Sequence, residues 1–177
     1  MDSTTDSYQR LNEDSGLTYN PSTGTITASV FSGAVSATTV TASDTVTFNA
    51  SAIEEVSVQA LAAGSTVTLD CKNNSVFYYT SSATGNWTLN FRGDGSTTMN
   101  TFLAIGKSAT VVFLATQGAT AFFANAFQID GVSVTPRWLG GGAPTGGNVN
   151  SIDSYSFTII KTAASTYTVL ASVVRFA

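Results

Sequence analysis

Carboxylates are the main candidates for chemistry in this sequence, because the chain contains no histidine. Without an imidazole, Ser-His-Asp and Cys-His nucleophilic arrangements are excluded, and so is the usual imidazole cage for a metal ion. Glycoside hydrolysis needs only two carboxylates. The candidates for such a pair are Glu54, Glu55, Asp70, Asp94, Asp130 and Asp153. Most of them lie in turn contexts that explain them without catalysis, so we predict no catalytic residue and a protein that is not an enzyme.

Three shorter signals fit ordinary structure as well as they fit chemistry. Cys71 follows a predicted strand and has no base near it in sequence, which favours a small buried hydrophobic residue over a reactive thiol. Arg92-Gly93-Asp94 is an integrin-type tripeptide, yet glycine and aspartate after a strand are common turn residues. Calcium loops need closely spaced aspartates, and the sequence has no such run. We therefore predict no cofactor and no metal site.

The composition is typical of a protein that belongs to an assembly. Charged residues make up 10% of the chain and hydrophobic residues 43%, whereas an ordinary globular domain is about one quarter charged. Serine and threonine replace the missing charges, and threonine packs well on a pleated strand. Since charge normally keeps protein surfaces apart, such a surface is poorly suited to a solitary soluble monomer.

Charge and hydropathy also limit the partners. The net charge is −4 and the basic residues are scattered along the chain, so no nucleic-acid partner is expected. The longest apolar runs, 110–115 and 119–123, are far too short to span a bilayer. No membrane insertion is therefore expected.

The chain before residue 53 is predicted to form a tail and a stalk. Residues 1–15 are polar and charged without periodicity, which indicates a flexible or docking tail. Residues 16–52 are rich in threonine and serine and contain short alternating segments after the turn signal at 20–24. Each segment is too weak to bury a face alone. We expect neighbouring chains to supply the missing core in a thin, intertwined β stalk, with a flexible linker as the alternative.

The stalk prediction makes the protein a homo-oligomer. The expected contacts between chains are Ile26, Val30, Phe31, Val40, Val46 and Phe48. Self-association is thus expected to depend on residues before Ile53.

Residues 53–177 read as one compact all-β domain, an antiparallel β-sandwich or jelly roll. The predicted strands are 56–60, 66–70, 76–80, 87–92, 102–105, 110–115, 121–129 and 132–135, followed by a final hairpin. Many short strands at roughly ten-residue spacing are typical of such folds. Asp130-Gly131 is the sharpest two-residue hairpin signal. Helical periodicity allows only a short helix, at 51–63.

The last 25 or so residues are predicted to form a long antiparallel hairpin over 153–177 with a loop at 161–165. One face carries Tyr155, Phe157, Ile159, Tyr167, Val169, Ala171 and Val173, since strand side chains alternate. The opposite face is also apolar, with Ile160, Leu170, Val174 and Phe176. We therefore expect the hairpin to lie well inside the β domain and not at its rim.

The segment before this hairpin, RWLGGGAPTGGNVNSID, is a glycine-rich loop that no regular element can accommodate. Either Trp138 plugs one end of the sandwich, or the loop contacts a ligand or a neighbouring subunit. The residues predicted for loop or partner contacts are Tyr79, Trp138, Leu139 and Pro144.

Two segments carry a resemblance to a known class of proteins. GLTYNPSTGTITASVFSGAVSATTVTAS resembles the Thr/Ser-rich repeats of tail-fibre and related structural proteins of marine tailed bacteriophages, cyanophages especially. RWLGGGAPTGGNVNSIDSYSFTIIKTAASTYTVLASVVRFA looks like the terminal module of such virion proteins, with its Trp, Gly/Pro loop, Ser-Ile-Asp and Thr-Ile-Ile-Lys-Thr hairpin. The resemblance implies a homotrimeric virion protein that is assembled in the host cytoplasm and contacts other virion proteins.

The leading prediction is therefore a non-enzymatic subunit of a trimeric tail fibre or tail-associated appendage. The first alternative is a decoration or cement protein on the capsid. The second is a carbohydrate-binding module that recognises host surface glycans through loop aromatics.

Overall fold

The computed structural model describes residues 17–28, 45–47 and 49–177. The chain divides into two units, Met1–Ala50 and Ser51–Ala177. In the first unit, β1 (Leu17–Asn20) and β2 (Thr25–Ala28) form an antiparallel hairpin. Their turn lies at the predicted turn signal, where Asn20 Oδ1 accepts hydrogen bonds from the amide and the hydroxyl of Ser22.

The second unit consists of two β-sheets, which confirms the all-β prediction. In sheet order, the six-stranded sheet contains β10 (Arg137–Trp138), β12 (Thr166–Phe176), β11 (Ile152–Ala163), β7 (Ser108–Thr116), β5 (Val76–Ser81) and β3 (Val56–Ala62). The four-stranded sheet contains β4 (Thr66–Asp70), β6 (Trp87–Arg92), β8 (Ala124–Ile129) and β9 (Val132–Ser133). One helical turn, α1 (Met99–Phe102), and a 3-10 turn at Leu139–Gly141 complete the unit.

Strands β3 to β8 alternate between the two sheets along the chain. Because the chain crosses to the other sheet after each strand, it returns beside an earlier strand in the same direction. The ladders β3–β5–β7 and β4–β6–β8 are therefore parallel. The prediction of antiparallel pairing is wrong for these strands, because their connections cross between sheets and do not turn back within one. Each of the strand pairs β3–β4, β5–β6 and β7–β8 contributes one strand to each sheet, and we call each pair a coil of the chain.

The corners of successive coils stack directly on each other. The amide of Thr84 donates to the carbonyl of Ala63 at 2.7 Å, and the amide of Cys71 donates to the carbonyl of Arg92 at 2.9 Å. A Cβ on Gly64 would collide with the Thr84 hydroxyl. Glycine at position 64 thus allows the close approach that the stacked corners require.

The predicted C-terminal hairpin is confirmed. β11 pairs antiparallel with β12 on one side and with β7 on the other, so that Phe157 lies beside Ala171 and Val111. The turn is shorter than predicted, because Ala163 already pairs with Thr166. Ser165 lies in the turn with φ of 50°.

The core lies between the two sheets, and aromatic rings join them. Trp87 of the four-stranded sheet contacts Phe113 and Tyr155 of the six-stranded sheet, with ring centroids 6.1 and 5.8 Å apart. Phe91 contacts Phe157 with centroids 4.9 Å apart. All five rings are at least 99% buried, so the two sheets share one hydrophobic core.

One predicted strand is wrong. The predicted strand at 102–105 is replaced by the end of α1 and an irregular segment. The helical turn forms because the Thr98 hydroxyl caps it and the Asp130 carboxylate accepts hydrogen bonds from the amides of Met99 and Asn100. The predicted strand at 56–60 is present as β3, so the short helix that the sequence allowed at 51–63 does not form. The turn at Asp130-Gly131 is confirmed: both residues have positive φ, at 52° and 79°, and they join β8 to β9.

The C-terminal hairpin lies inside the six-stranded sheet, between β10 and β7, but only one of its faces is buried. The inner face is buried as predicted. On the outer face, Leu170 is 44% exposed, Val174 53% and Phe176 58%. Among the described residues the chain has only two sheets in this unit, and the four-stranded one covers the inner face.

Candidate functional site

Two ion pairs engage carboxylates, one on the outside of the four-stranded sheet and one in the connections that follow β4 and β6. Arg92 Nε donates to Asp70 Oδ1 at 2.6 Å, and Lys72 Nζ donates to Asp94 Oδ2 at 2.9 Å. Asp70 and Arg92 are register partners on adjacent strands, which places their side chains on one face. Both charged residues of the Arg92-Gly93-Asp94 tripeptide are thus engaged within the chain. This arrangement fits turn structure better than an adhesive site.

Asp94 and Asp130 line one groove of about 400 Å³, but neither is arranged as a general acid. The hydrogen bond from Lys72 holds the pKa of the Asp94 carboxyl well below its usual range, whereas a general acid needs a raised pKa. Both carboxylate oxygens of Asp130 accept hydrogen bonds from the first amides of α1. Glu54 and Glu55 are exposed.

Cys71 is a buried free thiol. Burial raises the pKa of this thiol to about 12, so the thiolate that a nucleophile requires is not formed near neutral pH. The prediction of a small buried hydrophobic residue at this position agrees with its place in the core.

A buried carboxylate organises the end of the glycine-rich loop. Asp153 is fully buried, and its Oδ2 accepts from Gln117 Nε2 at 3.0 Å and from the amide of Asn148 at 3.2 Å. Its Oδ1 accepts from the hydroxyl of Ser151 at 3.3 Å. The same Gln117 also donates to the carbonyl of Phe122 and accepts from its amide. We call these residues, with Asp153 at the centre, the Asp153 network.

The Asp153 network has room for the loop only because residue 147 is glycine. A Cβ at Gly147 would collide with the carbonyl of Phe122 and would lie 2.9 Å from Asp153 Oδ2. Farther along the loop, the Arg175 guanidinium donates to the carbonyl of Gly146 at 2.7 Å. The end of the loop, residues 146–151, is therefore held in place by these hydrogen bonds.

Trp138 closes one end of the core. Its ring packs edge-on against Phe127 and Phe157, with centroids 5.4 and 6.2 Å apart. Beside it lies an open groove of about 390 Å³ on the outer side of the six-stranded sheet. The groove is lined by Arg137, Trp138, Leu139, Leu170 and the hydroxyls of Thr110, Ser156, Thr158 and Ser172, among others. Hydroxyls, a guanidinium and apolar walls are groups that bind polar organic ligands.

The predicted contact residues have different environments. Tyr79 lies in the core with its ring 5.2 Å from Phe113, so the prediction of a partner contact at Tyr79 is wrong. Leu139 is 83% exposed and Pro144 is half-buried. Of the predicted stalk contacts, Ile26 and Val46 are each 52% exposed. The other predicted stalk contacts, Val30, Phe31, Val40 and Phe48, lie outside the described residues.

The comparisons with known proteins assign the chain to no family. No family model, no curated protein and no solved structure matches the chain. Over residues 17–28, 45–47 and 49–177, no group of His, Cys, Asp and Glu side chains is placed to hold a metal ion. No helix in the described part of the chain has the length and hydropathy to cross a membrane.

Sequence reasoning missed one surface, the outside of the six-stranded sheet. Val58, Tyr78, Leu114, Ser154 and Val174 form one row across its five long strands. We call the side of this sheet that faces away from the four-stranded sheet the outer sheet face. On the five long strands it consists of this row and of the residues at every second position from it. The missed signal is the alternation in β3, where valines at 56 and 58 point away from the core and Ser57 and Gln59 point inward.

Proposed function

We propose that this chain is a non-enzymatic structural protein of a bacteriophage particle, a subunit of a trimeric tail fibre or tail-associated appendage. The proposal combines the resemblance of the C-terminal segment to virion modules with the structural use of its motif residues. It includes assembly in the host cytoplasm and contacts with other virion proteins.

The observation that carries the proposal is the Asp153 network. The Ser-Ile-Asp residues of the resembling segment hold the glycine-rich loop and the last hairpin together through Ser151 and Asp153. Polar residues that are consumed by internal hydrogen bonds support a scaffold, because an active site would present such groups to a substrate. Trp138, also part of the segment, packs into the core.

The finer architecture belongs to the same proposal. Residues 53–177 are proposed to be a β-sandwich in which parallel coils are followed by an antiparallel hairpin. A jelly roll is no longer proposed, because its strands are antiparallel. Residues 16–52 are proposed to form a thin β stalk, and residues 1–15 a flexible or docking tail.

Copy number and location in the particle test this function. A trimeric appendage predicts copies in small multiples of three at the tail, visible by antibody labelling and quantitative mass spectrometry of purified particles. Much larger numbers spread over the shell would indicate the capsid decoration protein instead. Complete absence from the particle would contradict both structural roles.

The groove beside Trp138 favours a second candidate, a module that binds host surface glycans. Its hydroxyls and the Arg137 guanidinium are suited to hydrogen bonds with sugar hydroxyls. Binding on a glycan array that is lost in Arg137→Ala and retained in the control Arg92→Ala, outside the groove, would support this candidate. A tail appendage without receptor contact predicts no binding on the array.

A further inference from the structure

We propose that the outer sheet face is a self-association surface that is covered by a second copy of this chain. This surface lies in the unit of Ser51–Ala177 and is separate from the proposed stalk contacts. It goes beyond the proposed function, because it does not depend on a place in a virus particle. It includes Ser156, Leu170 and Ser172 of the groove beside Trp138, so a second copy on this face and a glycan in that groove exclude each other.

The outer sheet face has no charged residue on its five long strands. Its positions alternate along the strands, from Val56 in β3 to Phe176 in β12, and are occupied by aliphatic residues, serine, threonine, Tyr78 and Phe176. Arg137 on the short β10 lies beside Leu170 of this face. By contrast, the outside of the four-stranded sheet carries the Asp70–Arg92 ion pair.

Apolar side chains on this face are exposed at both ends of the row. Val58 on β3 is 62% exposed and Val174 on β12 is 53% exposed. A soluble monomer rarely leaves a large continuous apolar patch open, and such patches mark contact surfaces. The dimensions fit a specific interface. Five strands about 4.8 Å apart and about 27 Å long cover on the order of 600 Å², which approaches the roughly 800 Å² per partner of standard interfaces.

Charge argues for a second copy as the occupant. Acidic and basic residues balance between Ser51 and Ala177, so the net charge of −4 arises within Met1–Ala50. Two identical uncharged faces meet without like-charge repulsion, whereas a face with charges of one sign repels its own copy. Ser154, Ser156 and Ser172 lie in the middle of the face, where their hydroxyls can pair with those of the other copy and leave no polar group unsatisfied.

Thiol labelling of the full chain tests the proposal directly. Val174→Cys and Val58→Cys each place a thiol on the outer sheet face, and Val132→Cys places one on β9, where the native valine is 68% exposed. The native Cys71 is buried and serves as an internal blank. We expect both face thiols to react with a maleimide at least about tenfold more slowly than the control thiol at micromolar chain concentration.

The mass of the labelled species, from light scattering, decides what covers the face. Slow labelling in a particle larger than one chain supports a second copy, and faster labelling on dilution supports it further. Slow labelling in a single chain assigns the cover to residues 1–50 of the same chain and overturns the proposal. Face thiols that react as fast as the control thiol overturn it as well. Circular dichroism of each variant verifies the fold before labelling.

Discussion

Replacing Phe157 with alanine is expected to lower the free energy of unfolding by about 3–5 kcal/mol. Phe157 is 1% exposed, and its ring touches rings from several elements. The centroid of Phe91 lies 4.9 Å away, that of Phe127 5.8 Å and that of Trp138 6.2 Å. Loss of this ring opens a cavity between the two sheets, next to the ring of Trp138.

Denaturant unfolding followed by tryptophan fluorescence measures this change, at one fixed chain concentration because oligomers gain stability with concentration. The matched control is Leu139→Ala, which shortens a side chain that is 83% exposed. We expect the control to change stability by less than about 0.5 kcal/mol. A loss below about 1 kcal/mol for Phe157→Ala would show that the rings do not form one shared core.

Replacing Asp153 with alanine is expected to cost about 2–4 kcal/mol. The amide of Asn148 loses the carboxylate that it contacts at 3.2 Å, and Gln117 Nε2 and Ser151 Oγ each keep one other partner. A buried donor without an acceptor costs more than an ordinary hydrogen bond contributes. The released loop should also become a protease site between residues 139 and 150, because its path depends on this network.

Limited proteolysis with mass spectrometry, combined with denaturant unfolding, measures both effects of Asp153→Ala. Glu54→Ala is the control, since it removes a carboxylate that is exposed. We expect cleavage in the loop of Asp153→Ala and no cleavage there in Glu54→Ala. Equal stability and equal cleavage in the two variants would mean that the buried carboxylate does not position the loop.

The strands themselves were predictable, because alternation is a local property of the sequence. The segments 66–70 and 87–92 match β4 and β6 residue for residue. In both, apolar side chains at every second position point to the core and polar or charged residues point outward. The Asp130-Gly131 turn was found for the same reason, since its chemistry is contained in two residues.

The direction of pairing was not predictable from alternation, because it depends on where each connection leads. A repeat was present in the sequence: Thr66 of β4 aligns with Thr88 of β6, and the residues after them alternate alike. The insertion at 93–107, which contains α1, hides the next copy of this repeat. Long-range contacts were hidden too, since Gln117 and Asp153 meet only when β7 and β11 pair.

Sequence reasoning gave the C-terminal hairpin two apolar faces and placed the hairpin well inside the domain. The structure buries only one of these faces, and the other lies on the same side of the sheet as the exposed valines of β3. Among the described residues, no element of the same unit covers that side. The second copy proposed above would supply the missing cover.

Whether copies of the chain associate is measured by sedimentation equilibrium of the full-length chain at micromolar concentration. We expect a folded particle of two or more chains of 18.3 kDa each, and of three chains if the trimeric proposal holds. A well-folded species of 18.3 kDa, unchanged as the concentration rises, would contradict it.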